Sequence, residues 1–220
     1  MVCSNAPRRG RPPQMAPEDR EKVILDAAER VLMARGVRGP TMAAVACEAG
    51  MSKRTLYAVF DGRTALFSAL IRRHRETFVA PLGPEQHALP LARRLRLLLA
   101  PERLASSGAA PLEVLRVALA EAPEHPELAR SVLDEGPRAI RRLIRDELDH
   151  AVAMGEIALD DTGTAAALLQ EMALPCPVER LLAPDGAPPD PAAFARRIDT
   201  AIAVFVAGAG ALAPAATARC

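Results

Sequence analysis

Four consecutive side chains of this chain can donate hydrogen bonds, and two of the four are positively charged: Ser52, Lys53, Arg54 and Thr55. An arginine can bind guanine O6 and N7 together, and a threonine can contact a thymine methyl group or a phosphate. Tyr57 is the only tyrosine in the chain and follows Lys53 by one helical turn, from which its hydroxyl can reach a phosphate. The segment therefore has the chemical groups with which proteins contact base edges and the backbone of DNA.

The residues around this segment predict a helix, a glycine turn and a second short helix over residues 41–60, TMAAVACEAGMSKRTLYAVF. Small side chains at 43, 44 and 46 allow close helix packing, Gly50 ends the first helix and Ser52 caps the second. Leu56 and Val59 are three residues apart, which places both on the face opposite the polar one. A solvated polar face is the alternative, but the spacing is typical of a helix-turn-helix, whose second helix enters the DNA major groove.

Further amphipathic segments are needed to position these two helices. Apolar stripes predict a first helix over 18–35, ended by Gly36, and a fourth helix from Thr64, with Phe60 and Phe67 in a shared core. Helical periodicity predicts five later helices, at 88–105, 111–121, 126–154, 161–174 and 191–208. The predicted fold class is all-α, with a flexible basic arm at 1–17, a helix-turn-helix domain at 18–80 and a larger C-terminal helical domain at 81–220.

The net charge of the 220 residues is only +1, but the charge is unevenly distributed. Residues 1–80 contain 14 Lys and Arg against 8 Asp and Glu, a net charge of +6, whereas residues 81–220 have a net charge of −5. The asymmetry indicates that the N-terminal third faces a polyanion, with chance unevenness as the alternative.

Other classes of function lack a motif in this sequence. There is no nucleophile elbow, zinc-protease motif, Walker loop or dinucleotide fingerprint, and the four histidines and four cysteines have no metal-ligand spacing. We therefore expect no catalysis, no metal and no cofactor. The first residues lack the apolar region of a signal peptide, and the longest weakly polar run, 201–213, is shorter than the roughly 20 residues that span a bilayer. We expect a cytoplasmic protein with no membrane partner.

Residues 20–71 resemble the N-terminal domain of the tetracycline-repressor (TetR) family of transcriptional regulators. The matching motifs are I-L-D-A-A at 24–28, T-M-A-A-V-A at 41–46, A-G-M-S-K-R-T-L-Y at 49–57 and A-L-F at 65–67. The resemblance implies a homodimeric repressor that binds palindromic double-stranded operator DNA and has a C-terminal domain for a small-molecule effector. It implies DNA contacts from Thr41, Ser52, Lys53, Arg54, Thr55 and Tyr57. The lysine that usually opens the fourth helix of the family is Arg63 here, which retains a cation for a phosphate contact.

The N-terminal arm contains a second nucleic-acid signal, the sequence R-G-R-P at 9–12. An extended backbone of this type lays arginines into a narrow A·T minor groove. We predict that Arg9 and Arg11 add minor-groove contacts. A disordered basic tail with non-specific affinity is the alternative.

The C-terminal part has fewer signals. Small and branched side chains near its end predict a two-fold helix interface, formed by Ala166, Leu169, Met172, Ile198, Ile202 and Phe205; a core within one chain is the alternative. An effector pocket is expected between 88–121 and 126–174, where no Phe, Tyr or Trp occurs, so an aliphatic effector is favoured over a large planar aromatic one. The polar candidates for orienting an effector are Arg116, Glu121, His125 and His150. For each of them, an exposed or internally satisfied helix residue is the alternative.

Two rival functions remain open at this point. In the first, the regulator senses oxidants through a thiol: Cys176 lies between two prolines, where we expect exposure, whereas a buried Cys47 is the default. In the second, the protein organises DNA without a ligand switch and coats it evenly. A protected palindrome distinguishes a repressor from this second alternative.

Overall fold

The structure is a computed structural model, and it describes residues 16–36, 40–79, 81–100, 103, 109–183 and 190–211. The described residues form α-helices and a short 3-10 helix at Pro84–Ala88, with no β-strand among them, so the predicted all-α class is confirmed. We number the α-helices α1 Pro17–Arg35, α2 Met42–Glu48, α3 Lys53–Tyr57, α4 Gly62–Phe78, α5 Leu91–Leu99, α6 Ala110–Glu121, α7 Pro126–Glu135, α8 Pro137–Ala153, α9 Thr162–Ala173, α10 Pro177–Leu182 and α11 Pro191–Ala211.

The first four helices pack around one apolar cluster. The helix α1 begins with Pro17 at its first position, has acidic residues in its first turn and ends before Gly36, whose φ is +56°. Its buried stripe, Ile24, Ala27 and Ala28, packs against α2, α3 and α4. The helix α4 begins at Gly62, two residues before the predicted start. Burial of these stripes fixes the orientation of α2 and α3, which are too short to be stable alone.

The C-terminal helices have a separate core, and one of the predicted helices is broken in two. Apolar residues of α5, α8, α9 and α11 form this core, with Leu95, Ile144, Leu148 and Ile198 completely buried. The helix predicted at 126–154 is two helices, because Pro137 has no N–H to continue α7 and starts α8 instead. A Cβ atom on Gly136 would lie 2.8 Å from the Val132 carbonyl oxygen, so only glycine fits this turn.

A third apolar cluster joins the first four helices to the later ones. It contains Leu32 and Ile71 from α1 and α4, and Val117 and Leu128 from α6 and α7. Phe67, predicted in the core of the N-terminal bundle, is completely buried in this third cluster instead. Because an apolar core resists deformation, the position of α4 is coupled to the positions of α6 and α7.

Polar side chains link α4 and α7 beside this cluster. The hydroxyl groups of Ser68 and Ser131 share a hydrogen bond, and Arg75 Nη1 donates to the Glu135 carbonyl oxygen at 3.0 Å. The helix α10 was not predicted from the sequence; it contacts α6 through Arg116, whose Nη2 donates to the Leu181 carbonyl oxygen at 3.2 Å. None of the described helices is both long enough and apolar enough to cross a bilayer.

The C-terminal core contains a buried arginine. Only 1% of the Arg94 side chain is exposed, and its Nε lies 3.0 Å from Glu147 Oε2 while its Nη1 lies 2.8 Å from Glu156 Oε1. The same Nη1 donates to the Leu89 carbonyl oxygen at 2.6 Å, and His87 Nε2 lies 3.2 Å from Glu147. The two carboxylates compensate the buried charge and tie α5 to α8 and to the segment that follows α8.

Candidate nucleic-acid interface

Side-chain caps define the start of both helices of the predicted helix-turn-helix. Thr41 Oγ1 accepts a hydrogen bond from the Ala44 N–H at 3.1 Å, and Ser52 Oγ accepts one from the Thr55 N–H at 3.1 Å. Both capping residues have extended backbone angles. Between the helices, Gly50 has a φ of +64°, a conformation that glycine adopts without strain. The sequence therefore fixes a sharp turn with a capped helix on each side.

The helix α3 has one buried face and one exposed face. Leu56 is completely buried and Phe60, just after the helix, is 6% exposed, whereas Lys53 and Arg54 are exposed and Tyr57 is 54% exposed. Half-buried Val59 packs against the same apolar cluster as Leu56. The polar residues are thus presented to solvent on a helix whose other face is anchored in the core.

The cations of α3 lack acidic partners. Among the described residues, no carboxylate or hydrogen-bond acceptor contacts the Lys53 ammonium group or the Arg54 guanidinium group. The hydroxyl groups of Ser52 and Thr55 bind each other at 2.8 Å, which orients them at the start of the helix. Two unpaired positive charges beside oriented hydroxyls form a surface suited to an anionic polymer.

Arg63 has a different environment from the other predicted DNA contacts. Its Nη2 lies 2.6 Å from Glu121 Oε1, its Nη1 contacts the other carboxylate oxygen, and its Nε donates to the Pro40 carbonyl oxygen at 3.2 Å. The residue thus joins the N-terminus of α4 to the C-terminus of α6 and to the segment before Thr41. In this conformation its guanidinium group is occupied by the protein.

A buried histidine lies behind the interface, between α1 and α4. His74 is 9% exposed, and its Nε2 has no hydrogen-bond partner among the described residues. Burial lowers the pKa of His74 below 6.5; Glu29, 4.0 Å away, acts against this shift, and Arg73 acts with it. Neutral imidazole is therefore the form that fits the folded protein.

The predicted arm contacts, Arg9 and Arg11, lie outside the described residues and stay predictions. Cys47, expected to be buried in the scaffold helix, is exposed, because α2 buries Met42, Val45 and Ala46 on its other face. Cys176 is exposed, as the neighbouring prolines suggested.

The four candidate effector residues are not brought together. Arg116 contacts Glu113 and the Leu181 carbonyl, and Glu121 contacts Arg63. His125 is exposed beside Glu127, and the His150 ring lies 5.1 Å from the His87 ring. Two surface grooves, of about 610 Å³ and about 200 Å³, are lined by other residues, on α1 and between α5 and α11. No group of three or more potential ligands for a metal ion occurs in the part of the chain that the structure describes.

The predicted dimer residues require a correction. Ala166, Leu169, Ile198 and Ile202 are buried in the core of the single chain, and Phe205 packs against that core. The four buried side chains face the core of their own chain, whereas Phe205 is half-buried at its edge. Met172 is 36% exposed and remains accessible.

Two exposed apolar side chains on α9 and α11 were not among the predicted interface residues. Leu168 and Val204 are 58% and 57% exposed, so both present apolar surface to solvent. Leu168 and Met172 are four residues apart on α9, and this spacing is a signal that the sequence already contained. Arg197 holds the two helices together, because its Nε donates to the Met172 carbonyl oxygen at 3.0 Å.

Two family models match this chain. The model of bacterial regulatory proteins of the tetR family matches residues 24–70, which include the capped helices and the exposed cations. The model of the C-terminal domain of AefR-like transcriptional repressors matches residues 104–209. The two matches cover both parts of the molecule that the shared apolar cluster joins.

Comparisons with individual proteins agree with these matches. The HTH-type transcriptional repressor BepR of Brucella suis biovar 1 (strain 1330) is 38% identical over 60 residues, which are 27% of this chain and 28% of BepR. The chain thus spans less than a third of the length of this curated relative. A TetR transcriptional regulator from Agrobacterium tumefaciens is 28% identical with a TM-score of 0.67, over 89% of this chain and 96% of that one. The flavonoid-responsive regulator FrrA is 25% identical with a TM-score of 0.64, over 88% and 98%. The chain belongs to the TetR family of bacterial transcriptional regulators.

Proposed function

We propose that this TetR-family regulator is a dimeric repressor that binds a palindromic operator through α2 and α3 and is released by a small-molecule effector. The observation that supports this most directly is the pair of unpaired cations, Lys53 and Arg54, on the exposed face of a capped and anchored helix. Exposed cations cost a folded protein little free energy, so their presence alone indicates no ligand. A polyanion is the ligand that would bind both cations together with the adjacent hydroxyl groups.

The proposed division of roles follows from position along the two helices. Lys53, Arg54 and Thr55 lie in the first turn of α3, the part of a recognition helix that contacts base edges. Thr41 at the start of α2 and Tyr57 at the end of α3 flank this turn, where phosphate contacts set the register on the duplex. Ser52 contributes the cap that orients the helix.

We propose that the dimer forms through the exposed faces of α9 and α11. Leu168, Met172 and Val204 offer apolar surface there, and Arg197 keeps the two helices in register. Two copies joined in this way would present two recognition helices to successive major grooves, about 34–36 Å apart. Met172 is shared with the residues predicted from the sequence, and the proposed interface uses the same two helices.

The interface is tested with the double variant Leu168→Glu and Val204→Glu, examined by sedimentation velocity. We expect a folded monomer, because four buried carboxylates per dimer would be uncompensated. Leu133→Glu is the matched control: Leu133 is 44% exposed on α7, and its change should leave the dimer intact. A double variant that still sediments as a dimer excludes this face.

The composition of the C-terminal part bears on the chemical class of the effector. FrrA is described as flavonoid-responsive, and flavonoids are planar aromatic compounds. Residues 88–174 of the present chain contain no Phe, Tyr or Trp, which favours an aliphatic effector over such a compound. Operator release by an aliphatic carboxylic acid and by a flavonoid, compared in one titration series, distinguishes the two classes.

The proposed function is tested by selecting bound duplexes from a randomised pool with the purified protein, followed by footprinting. We expect enrichment of a palindrome and protection of both half-sites. Even coating of DNA without an enriched sequence would instead support a DNA-organising protein. Operator release by peroxide that is abolished in Cys176→Ser would support the thiol sensor.

A further inference from the structure

Each of the three guanidinium nitrogen atoms of Arg63 makes a contact within the protein. Nη2 lies 2.6 Å from Glu121 Oε1, Nη1 contacts the second oxygen of the same carboxylate, and Nε donates to the Pro40 carbonyl oxygen at 3.2 Å. The guanidinium carbon lies 5.3 Å from the centroid of the Phe67 ring, at cation–π distance. Both side chains of the ion pair are partly buried, with 29% and 21% exposed, so water screens the pair less than it screens a surface pair.

The geometry of this pair leaves no room for a second anion on the two N–H groups that Glu121 binds. A carboxylate and a phosphate bind the same two N–H groups of an arginine through two parallel hydrogen bonds. While Glu121 occupies Nη1 and Nη2, a DNA phosphate cannot bind them in the same way. The Glu121 carboxylate and a DNA phosphate therefore compete for this pair of N–H groups.

Arg63 lies beside Thr41, one of the proposed DNA contacts. Its Nε is bound to the carbonyl of Pro40, the residue directly before Thr41, and Thr41 caps the first helix of the helix-turn-helix. The competition thus takes place beside a proposed phosphate contact.

Glu121 belongs to the C-terminal part of the molecule. It is the last residue of α6, and Val114, Val117 and Ala118 of that helix are buried in the apolar cluster shared with α1 and α4. Arg116 connects the same helix to α10. The backbone of α6 is rigid over one turn. A shift of α6 along the shared apolar cluster therefore carries the Glu121 carboxylate with it and changes its distance from Arg63.

We propose that Glu121 is an autoinhibitory residue, which holds Arg63 away from the DNA backbone until α6 moves and releases it. The C-terminal part then sets DNA affinity through one ion pair: paired Arg63 gives weak binding and is the state that the effector favours, whereas free Arg63 adds a phosphate contact in each protomer. This inference rests on the proposed DNA-binding function and adds the means of its regulation.

The test compares DNA affinity as a function of salt concentration for the wild-type protein and Glu121→Gln, with Glu121→Ala as a second variant. We expect at least about 5-fold tighter binding, the lower end of typical coupling between sites. We also expect the slope of log K against log salt concentration to be steeper by about 0.9 for each added phosphate contact. Glu124→Gln is the matched control, since it removes the same charge three residues away at an exposed position and leaves the ion pair intact.

A double variant separates release of Arg63 from a general loss of negative charge. In an Arg63→Gln background, Glu121→Gln should give neither tighter binding nor a steeper slope. The proposal is wrong if Glu121→Gln behaves like Glu124→Gln, if it weakens binding, or if the gain survives in that background. It is equally overturned if circular dichroism shows that both Glu121 variants are unfolded, because the pair is then structural.

The titrations use both the selected operator and a duplex of random sequence. A wild-type protein that does not prefer the operator contradicts the proposed function alone. Phosphate contacts are independent of sequence, so the random duplex still reports whether Arg63 has been released.

Discussion

Arg54 and Arg94 are chemically identical, but the fold places them in opposite environments. Arg54 lies on the exposed face of α3, and no acidic partner contacts it among the described residues. Arg94 is 1% exposed in α5 and is bound by Glu147, Glu156 and a backbone carbonyl. A count of basic residues therefore says little about function. Whether each cation has an acidic partner distinguishes the cations that stabilise the fold from those that are available to a ligand.

The arginines of α4 lie between these two extremes. Arg73 bridges Asp26 and Glu29 of α1, with 2.6 Å from Nη1 to Asp26, and Arg75 binds the end of α7. A net charge of +6 in residues 1–80 therefore overstates the positive charge that faces DNA, because much of it is used within the protein. In α3, by contrast, neither Lys53 nor Arg54 has an acidic partner among the described residues.

The largest effect is expected from Arg94→Ala. Loss of this side chain leaves the Glu147 carboxylate buried without its partner, and we expect the free energy of unfolding to fall by about 3–5 kcal/mol. Denaturant unfolding followed by circular dichroism measures it. The adjacent Arg93 is exposed, and Arg93→Ala should change stability by less than about 0.5 kcal/mol. Equal effects at the two positions would contradict the distinction between buried and exposed cations.

Arg54→Gln should have the opposite profile. We expect operator affinity to fall by about 1–3 kcal/mol, with specificity relaxed at one base position, because a contact to a base edge is lost. The free energy of unfolding should change by less than about 0.5 kcal/mol, since the side chain has no partner in the described structure.

Arg73→Gln serves as the internal control for Arg54→Gln. It should lower stability through the lost bridge to α1 and leave the salt dependence of DNA binding unchanged. If Arg54→Gln destabilised the fold and Arg73→Gln changed the salt dependence, the assignment of free and structural cations would be reversed.

The smallest effect concerns His74, a cation-forming group that the fold keeps neutral. Burial lowers its pKa from 6.5, so the unfolded chain takes up a proton at a higher pH than the folded chain does. His74 therefore lowers stability as the pH falls below 6.5, and it has no such effect above that value.

Unfolding of the wild-type protein and His74→Gln at about pH 7.5 and about pH 5.5 measures this contribution. We expect the variant to lose less stability than the wild-type protein on acidification. Both proteins keep the charges of Glu29 and Arg73, so the difference reports the imidazole of His74. An equal loss in both proteins would show that the proton is taken up elsewhere.

Much of the fold was predictable because local rules dominate it. The caps at Thr41 and Ser52, the turn at Gly50 and the buried Leu56 follow from residue type and spacing, and the structure confirms each of them. The break at Pro137 was also readable in principle, but helical periodicity on both sides of it favoured one long helix. The roles of Thr41, Ser52, Lys53, Arg54, Thr55 and Tyr57 in DNA binding stay predictions.

The residues that pack against each helix face, and the residues that pair with each charged side chain, were harder to predict. An apolar stripe shows that a helix side is buried but not against what, so Ala166, Leu169, Ile198 and Ile202 were assigned to a second copy instead of the chain's own core. For the same reason Phe67 was placed in the wrong cluster. The partner of Arg63, Glu121, is 58 residues away, and no local pattern connects the two.

The sequence by itself determined the all-α class and the capped helix-turn-helix, because helix propensity, capping and periodicity act over a few residues. Only the tertiary structure decided which charges are free, which apolar faces remain uncovered and how α6 contacts α4. Those properties depend on contacts between residues that are distant in the chain. Arg54 and Arg94 therefore look alike in the sequence, and they differ only once packing has placed two carboxylates around one of them and solvent around the other.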